Sequence, residues 1–235
     1  MVVCSVIAFV GVVAPADAGW SSGGHCTINT PHCYSIQYWH MSYPTESVRG
    51  GIAYVTSTNA KVGEWENYAF IDNEIWVSFP ENRGWIETGT TAGNHDDCCT
   101  GHAFVAHAKS EGGYGYEEYI YASTPTTETS WYRIDDTESN NDWCTYFGKP
   151  PPTTLIYCLG GGQYTTYASS LEAGIEAAQN YAPEDAGHQE VAAVFHDGSW
   201  HPWEGSKTKA KAYVDTEMCQ SPYGTAAGNV NWSVC

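Results

Sequence analysis

The sequence predicts an all-β protein, a disulfide-stabilised sandwich or jelly roll of antiparallel strands. Three observations lead to this prediction. Short runs of strand-forming residues are separated by clusters of Gly, Asn, Asp, Pro and Thr, which is typical of all-β domains. Aromatic residues reach 14% and glycines number 24, while charged residues are sparse at 15%. The roughly 217 residues that follow a predicted leader suit one large β domain.

The clearest strand pair lies in the stretch 70–93, where two strands are joined by a short polar link. In the first strand, Glu74 and Trp76 alternate with apolar residues, and in the second, Trp85 and Glu87 do the same. Side chains in a strand alternate between two faces, so aligning the apolar faces places these four residues on one surface. Such a surface is either the floor of a binding cleft or an ordinary solvated sheet face.

The N-terminus resembles a signal peptide. Residues 2–13 form an apolar run, and Ala16-Asp17-Ala18 offers small residues for cleavage before Gly19. We therefore expect residues 1–18 to be removed and the protein to be secreted, although a buried N-terminal strand is the alternative. No other run approaches the roughly 18 apolar residues that a membrane span needs.

The cysteines support export. Eight remain after Cys4 in the leader, an even number that predicts four disulfides. Adjacent Cys98 and Cys99 cannot comfortably bond each other, so at least one pairing between sequence neighbours must be wrong. Zinc is disfavoured because no pair of C-x-x-C motifs exists, and we expect no cofactor. The local pairings are Cys26–Cys33, Cys144–Cys158 and Cys219–Cys235.

The charge balance restricts the partners. Nine Lys and Arg against 27 Asp and Glu give a net charge of −18. Nucleic acid and anionic membranes both require a basic footprint, so neither is an expected partner. We expect a monomer that acts on a polypeptide or a carbohydrate and that tolerates acid, because protonation relieves the repulsion among its carboxylates.

The domain organisation follows from the remaining segments. Residues 19–50 form a disulfide-pinned N-terminal segment, residues 51–215 the β-sandwich domain, and residues 216–235 a disulfide-pinned tail. Asp197-Gly198 predicts a hairpin turn between two strands. Further strands are predicted at 33–40, 51–57, 104–108, 114–121, 131–134, 143–147, 155–159, 190–196, 200–203 and 207–214.

The stretch 164–181 has two interpretations. Ser169-x-x-Glu172 matches a helix capping box, and the residues that follow are good helix formers. As a strand, the same stretch places Glu172 and Glu176 on one face and apolar residues on the other. The all-β surroundings favour the strand.

Histidines and acids around residue 100 suggest a metal site, but their spacing fits neither a helical zinc motif nor a zinc finger. We expect solvated loop histidines and no metal. The residues considered are His95, Asp96, Asp97, His102 and His107.

Four motifs in order resemble the secreted glutamic peptidases, namely the eqolisins and, more distantly, the neprosin type. These motifs are W-V-x-F, W-I-E-T-G followed by a Cys-containing loop, the strand Y-x-Y-E-E-Y and a Glu-x-x-x-Glu strand, within roughly residues 70–200. In eqolisins, a Q-T-G motif supplies a catalytic glutamine and A-E-W-I-V-E the catalytic glutamate. Trp85-Ile86-Glu87-Thr88-Gly89 is similar to the first motif and residues 171–176 to the second. The resemblance implies a concanavalin-like sandwich of two antiparallel sheets, with the site on the concave one.

This sequence departs from the eqolisin motif at Glu87, which stands where eqolisins have glutamine, whereas neprosin-like enzymes use two glutamates. Two carboxylates in a shared cleft cannot both ionise cheaply, so one keeps its proton. We assign the general base to Glu172 and the proton donor to Glu87, which predicts a peptidase active mainly in acid. The expected substrate contacts are Glu74, Trp76, Trp85, Tyr116, Glu118 and Glu176.

Two other functions fit the same residues. A glycosidase would use the Asp72–Glu74 region as proton donor with Glu87 opposite, in a groove floored by Trp76 and Trp85. A carbohydrate-binding or surface protein would use the same scaffold without catalysis, since a fold alone does not determine function.

Overall fold

The computed structural model consists of two antiparallel sheets, and the residues that it describes form strands and turns without a helix. The described residues are 4–5, 32–40, 48–56, 70–81, 83–93, 102–110, 115–121, 129–136, 142–149, 151–160, 164–178, 188–196, 198–202, 210–214, 220–223 and 230–234. Among these residues there is no helix long and apolar enough to cross a membrane.

The strands follow one another in chain order as β1 (Cys4–Ser5), β2 (His32–His40), β3 (Val48–Thr56), β4 (Phe70–Ser78), β5 (Trp85–Gly93), β6 (His102–Ala108), β7 (Glu117–Tyr121), β8 (Thr129–Asp135), β9 (Trp143–Gly148), β10 (Thr154–Leu159), β11 (Ser170–Ala178), β12 (His188–His196), β13 (Ser199–Pro202), β14 (Ala210–Val214), β15 (Gln220–Tyr223) and β16 (Val230–Val234). The first sheet, which we call the acidic sheet, has the order β1-β7-β6-β5-β4-β11-β2-β14. The second sheet has the order β10-β9-β8-β3-β12-β16-β15, with β13 paired to β12. The predicted antiparallel β-sandwich is thus confirmed.

The core lies between the two sheets and is built by alternation. Ile75 and Val77 of β4, Ile86 of β5 and Leu171 of β11 are fully buried in it. A side chain on Gly51 of β3 would come within 2.5 Å of a methyl group of Leu171, so the two sheets approach closely at this point. The remaining buried members from β3, β8 and β9 include Val55, Tyr132, Ile134 and Trp143.

The ambiguous stretch is a strand, β11, and the helix capping box predicts wrongly. The backbone of β11 pairs with β4 on one side and with β2 on the other. Ladder hydrogen bonds on both edges and burial of both faces outweigh the local preference for helix. The hairpin predicted at 197–198 is confirmed, since β12 pairs with β13 and Gly198 has a φ of 79°.

One disulfide is described, between Cys144 of β9 and Cys158 of β10, and it is one of the three local pairings that the sequence offered. The two residues lie opposite each other in the ladder. The pairings Cys26–Cys33 and Cys219–Cys235 and the pair at 98–99 lie outside the described residues, as do residues 95–97.

Segments from both ends of the chain pair with strands of the two sheets. Cys4–Ser5, in the predicted leader, pairs with β7, and the rest of residues 1–18 lies outside the described part. The predicted tail contributes β15 and β16 to the second sheet.

The expectation of a solvated loop histidine was wrong for His107. This residue lies in strand β6 and is buried, because its side chain points to the interior side of the acidic sheet. Its Nδ1 lies 3.3 Å from the hydroxyl of Tyr164.

Candidate active site

The candidate site is built on three central strands of the acidic sheet. Strand β4 pairs with β5 on one side and with β11 on the other. Trp76 lies opposite Glu87 on β5 and opposite Glu172 on β11, so the three residues form one row across the sheet. Residues paired in this way point to the same face. Since two strand spacings separate their backbones, Glu87 and Glu172 flank Trp76 at about 10 Å between Cα atoms.

Two further rows run parallel to the first. Glu74 lies opposite Gly89 on β5 and Gly174 on β11. In the next row, Asp72 lies opposite Thr91 and Glu176. Because these residues alternate with the core residues of the same strands, they occupy the face of the acidic sheet that points away from the second sheet. We call this face the acidic face; its carboxyls belong to Asp72, Glu74, Glu87, Glu172 and Glu176.

The acidic face is buried. Glu74 has no exposed surface, and the most exposed of its carboxyl-bearing neighbours, Asp72 and Glu87, reach 6%. The predicted floor residues Trp76 and Trp85 are each 4% exposed. The sequence predicted that they share a surface with Glu74 and Glu87, and the structure places them together, although shielded from solvent. Electrostatic interactions are therefore stronger here than on a solvated sheet face.

Three of the carboxyls meet closely. Oxygens of Glu74, Glu87 and Glu176 all lie within 4.8 Å of one another. At this separation and an effective dielectric constant of about 20, each ionised pair repels by roughly 3 kcal/mol. A hard divalent cation with oxygen ligands would relieve this repulsion, and so would protons.

The pKa values of the cluster are raised. Burial is the main cause of the raised pKa of Glu74, followed by the charges of Glu87, Glu176 and Asp72. Burial also raises the pKa of Glu87, assisted by Glu176, Asp72 and Glu118. The pKa of Asp72 is raised by burial and by Glu118, against a hydrogen bond from Thr91 that lowers it. Glu87 is therefore held in its protonated form to a higher pH than an ordinary glutamate.

Glu172 has a different environment. The hydroxyl of Ser170 donates a hydrogen bond to its Oε1 at 2.9 Å, and the hydroxyl of Ser78 lies 3.5 Å from the same oxygen. The sequence analysis did not single out Ser170, although the period of two along β11 places it on the same face as Glu172.

An aromatic wall borders Glu87 on the side of β7. The ring centroids of Trp85 and Tyr116 are 5.8 Å apart, and the Tyr116 hydroxyl donates to Glu118 at 3.2 Å. Burial, with the charges of Glu118, Glu87 and Asp72, raises the pKa of Tyr116, so its phenol remains a donor. The buried indole N–H of Trp85 has no acceptor among the described residues. Phe104, Ala106 and Ala108 pack against this wall.

Most of the predicted site residues lie on the acidic face. Glu87 and Glu172 lie on the same row of the acidic face, and Glu74 and Glu176 lie beside them. Trp76 separates the two predicted catalytic residues. Glu118 of β7 lies in the same row as Glu87, two strands away. Ala106 of β6 stands between them and pairs with both.

Comparison with known proteins extends the description of the fold. The sequence matches no protein-family profile and no curated protein. Scytalido-glutamic peptidase bound to a transition-state analogue inhibitor superposes with a TM-score of 0.54 and 12% identity over 89% of this chain and 100% of that chain. SCP-B, a member of the eqolisin family of peptidases in complex with the tripeptide Ala-Ile-His, gives a TM-score of 0.50 and 11% identity over the same shares of the two chains. At these identities the likeness shows a shared fold, so this chain has the β-sandwich fold found in the glutamic peptidases.

Proposed function

We propose that this protein is a secreted, acid-active endopeptidase of the glutamic type, in which Glu172 is the general base and Glu87 the proton donor. The observation that carries the proposal is the row Glu87–Trp76–Glu172 on the acidic face of a sandwich with the peptidase fold. It brings the two motifs that resemble those of the glutamic peptidases onto neighbouring positions of one surface.

The two carboxyls have environments suited to opposite roles. The hydroxyl of Ser170 donates a hydrogen bond to Glu172, while burial and the neighbouring acids raise the pKa of Glu87. An acid–base pair of two carboxyls requires such different surroundings for its two members.

The reaction follows from these roles. Glu172 takes a proton from a water molecule whose oxygen attacks the carbonyl carbon of the scissile peptide, and Glu87 donates its proton to the carbonyl oxygen. When the intermediate collapses, the C–N bond breaks and the amine leaves with the proton held by Glu172. The second hydroxyl of the intermediate returns a proton to Glu87, which restores both groups.

The neighbouring aromatic residues support a peptide substrate. The indole N–H of Trp85 lacks an acceptor among the described residues, and a backbone carbonyl of a bound peptide would supply one. Secretion rests on the apolar run at 2–13, the cleavage signal before residue 19 and the disulfide between Cys144 and Cys158.

The experiment is cleavage of denatured casein across about pH 3–7, the range over which carboxyls with raised pKa values titrate. Glu172→Gln should abolish hydrolysis. Glu87→Gln should retain part of it and widen the pH range, because an amide donates a hydrogen bond at any pH. Glu117→Gln, which changes an exposed glutamate on β7, is the control and should behave as wild type. Unchanged proteolysis in both active-site variants would contradict the assignment, and glycan binding or cleavage without proteolysis would favour the carbohydrate alternatives.

A further inference from the structure

Glu74 lies at the centre of the acidic face, and neither of its cross-strand neighbours has a side chain. Gly89 and Gly174 occupy the positions on either side of it. Glu87 and Glu176 are its diagonal neighbours, each two residues from one of these glycines. Because no side chain stands between them, the two flanking carboxyls can lean toward Glu74, and their oxygens come within 4.8 Å of one another.

The charges that act on Glu74 and Glu87 are all negative and belong to carboxylates. Glu87 faces Asp72 and Glu74 of β4. It also faces Glu172 and Glu176 of β11 and Glu118 of β7. The phenol of Tyr116 lies beside them, and the facing residue on β6 is Ala106, which does not titrate. The trio is buried, so water screens its repulsion weakly.

We propose that Glu74 and Glu176 are positioning residues for the acid: their carboxyls, buried beside that of Glu87, keep a proton on Glu87. This inference rests on the proposed role of Glu87 as donor. The pH at which Glu87 loses its proton sets the upper pH limit of the reaction. Glu172, at the far side of Trp76 and hydrogen-bonded to Ser170, is not the group that holds the proton on Glu87.

The consequence is a pH range that extends above that of an isolated glutamic acid. Burial and the charge of Glu87 raise the pKa of Glu74, and burial and the charge of Glu176 raise the pKa of Glu87, in agreement with this geometry. Neutralising Glu176 removes the charge that contributes most to the raised pKa of Glu87 after burial. Glu87 then loses its proton at a lower pH, and hydrolysis ceases at a lower pH.

The first measurement does not depend on activity. Carboxyl ¹³C NMR titration of the full chain in the presence of a chelator follows the proton on Glu87, whose signal is identified by its loss in Glu87→Gln. In Glu176→Gln and Glu74→Gln, the Glu87 midpoint should fall by about one pH unit, the usual order of effect for a close like charge. Glu81→Gln is the matched control because it removes an exposed carboxyl outside the acidic face, with 67% of its side chain accessible.

The second measurement is kcat/KM against pH. The ratio of kcat/KM of Glu176→Gln to that of wild type should be constant below both pH limbs and should fall to about one tenth above them, for a shift of about one unit, whereas a merely structural loss would be the same at every pH. An unmoved Glu87 midpoint in both variants would overturn the inference. A moved midpoint in a protein that cleaves no peptide would support the role of Glu74 and Glu176 and reject the proposed function. In a final measurement, calcium replaces the chelator. If calcium raises the Tm of wild type but not that of Glu176→Gln, the trio binds a cation and the inference is overturned.

Discussion

Glu74 and Gly89 face each other across the β4–β5 ladder at a point where there is no space for a side chain on the glycine. A Cβ on Gly89 would lie 2.2 Å from the carbonyl oxygen of Asn73 and 2.6 Å from the Cα of Glu74. Both are backbone atoms, which cannot move aside as a flexible side chain can. Gly89 therefore helps to set where Glu74 stands on the acidic face.

Gly89→Ala should destabilise the protein by about 1–3 kcal/mol, because the new methyl group forces β4 and β5 apart. Urea unfolding measures this loss. Gly160→Ala is the matched control, since nothing lies within 4 Å of a Cβ at that position. Equal stability of the two variants would show that the ladder accommodates the methyl group.

Ser170→Ala should lower kcat/KM by about 10–100-fold, because it removes the hydroxyl that donates to Glu172 at 2.9 Å. A hydrogen bond to a charged group contributes roughly 1.5–3 kcal/mol. Ser169→Ala is the control, since this hydroxyl donates to the carbonyl of Ser78 and not to Glu172. A rate loss of the same size in both variants would count against a specific role for Ser170.

His107 should make the protein less stable in acid. Burial lowers the pKa of His107, the charge of Glu117 opposes this shift, and Lys109 adds to it. A base with a depressed pKa binds its proton more readily in the unfolded chain. Its contribution to stability is therefore present above the ordinary histidine pKa and is lost as the pH falls through that value.

His107→Gln tests this sign. The loss in free energy of unfolding between about pH 7 and about pH 5, which brackets the ordinary histidine pKa, should be smaller in the variant than in wild type. Tyr164→Phe provides the comparison, since it removes the hydroxyl next to His107 and leaves the titrating ring in place. An identical pH dependence in wild type and His107→Gln would exclude the residue as the cause.

Alternation of side chains made much of the acidic sheet predictable. The period of two in β4 and β5 identified which residues share a face, and a short link between the strands limited their register. The shared surface of Glu74, Trp76, Trp85 and Glu87 follows from these local patterns. For β11, alternation and helix propensity disagreed, and only pairing on both edges decided the outcome.

The meeting of the carboxyls was less predictable because it depends on long-range register. Ser78 and Glu172 are 94 residues apart in the chain, and no local pattern specifies that β4 and β11 are neighbours. A shift of one residue would turn Glu172 and Glu176 into the core. The same limit explains why the sequence analysis paired Glu87 with Glu172 and did not foresee that carboxyl oxygens of Glu74 and Glu176 lie within 4.8 Å of one on Glu87.

The bond between Cys144 and Cys158 has a consequence for how chains meet one another. Strand β10 is the outermost strand of its sheet and exposes 54% of Leu155. An uncovered outer strand is a template on which a neighbouring molecule can add its own strand. Because the bond fastens β10 to β9, the outer strand cannot detach from its own sheet and exchange with the same strand of another copy.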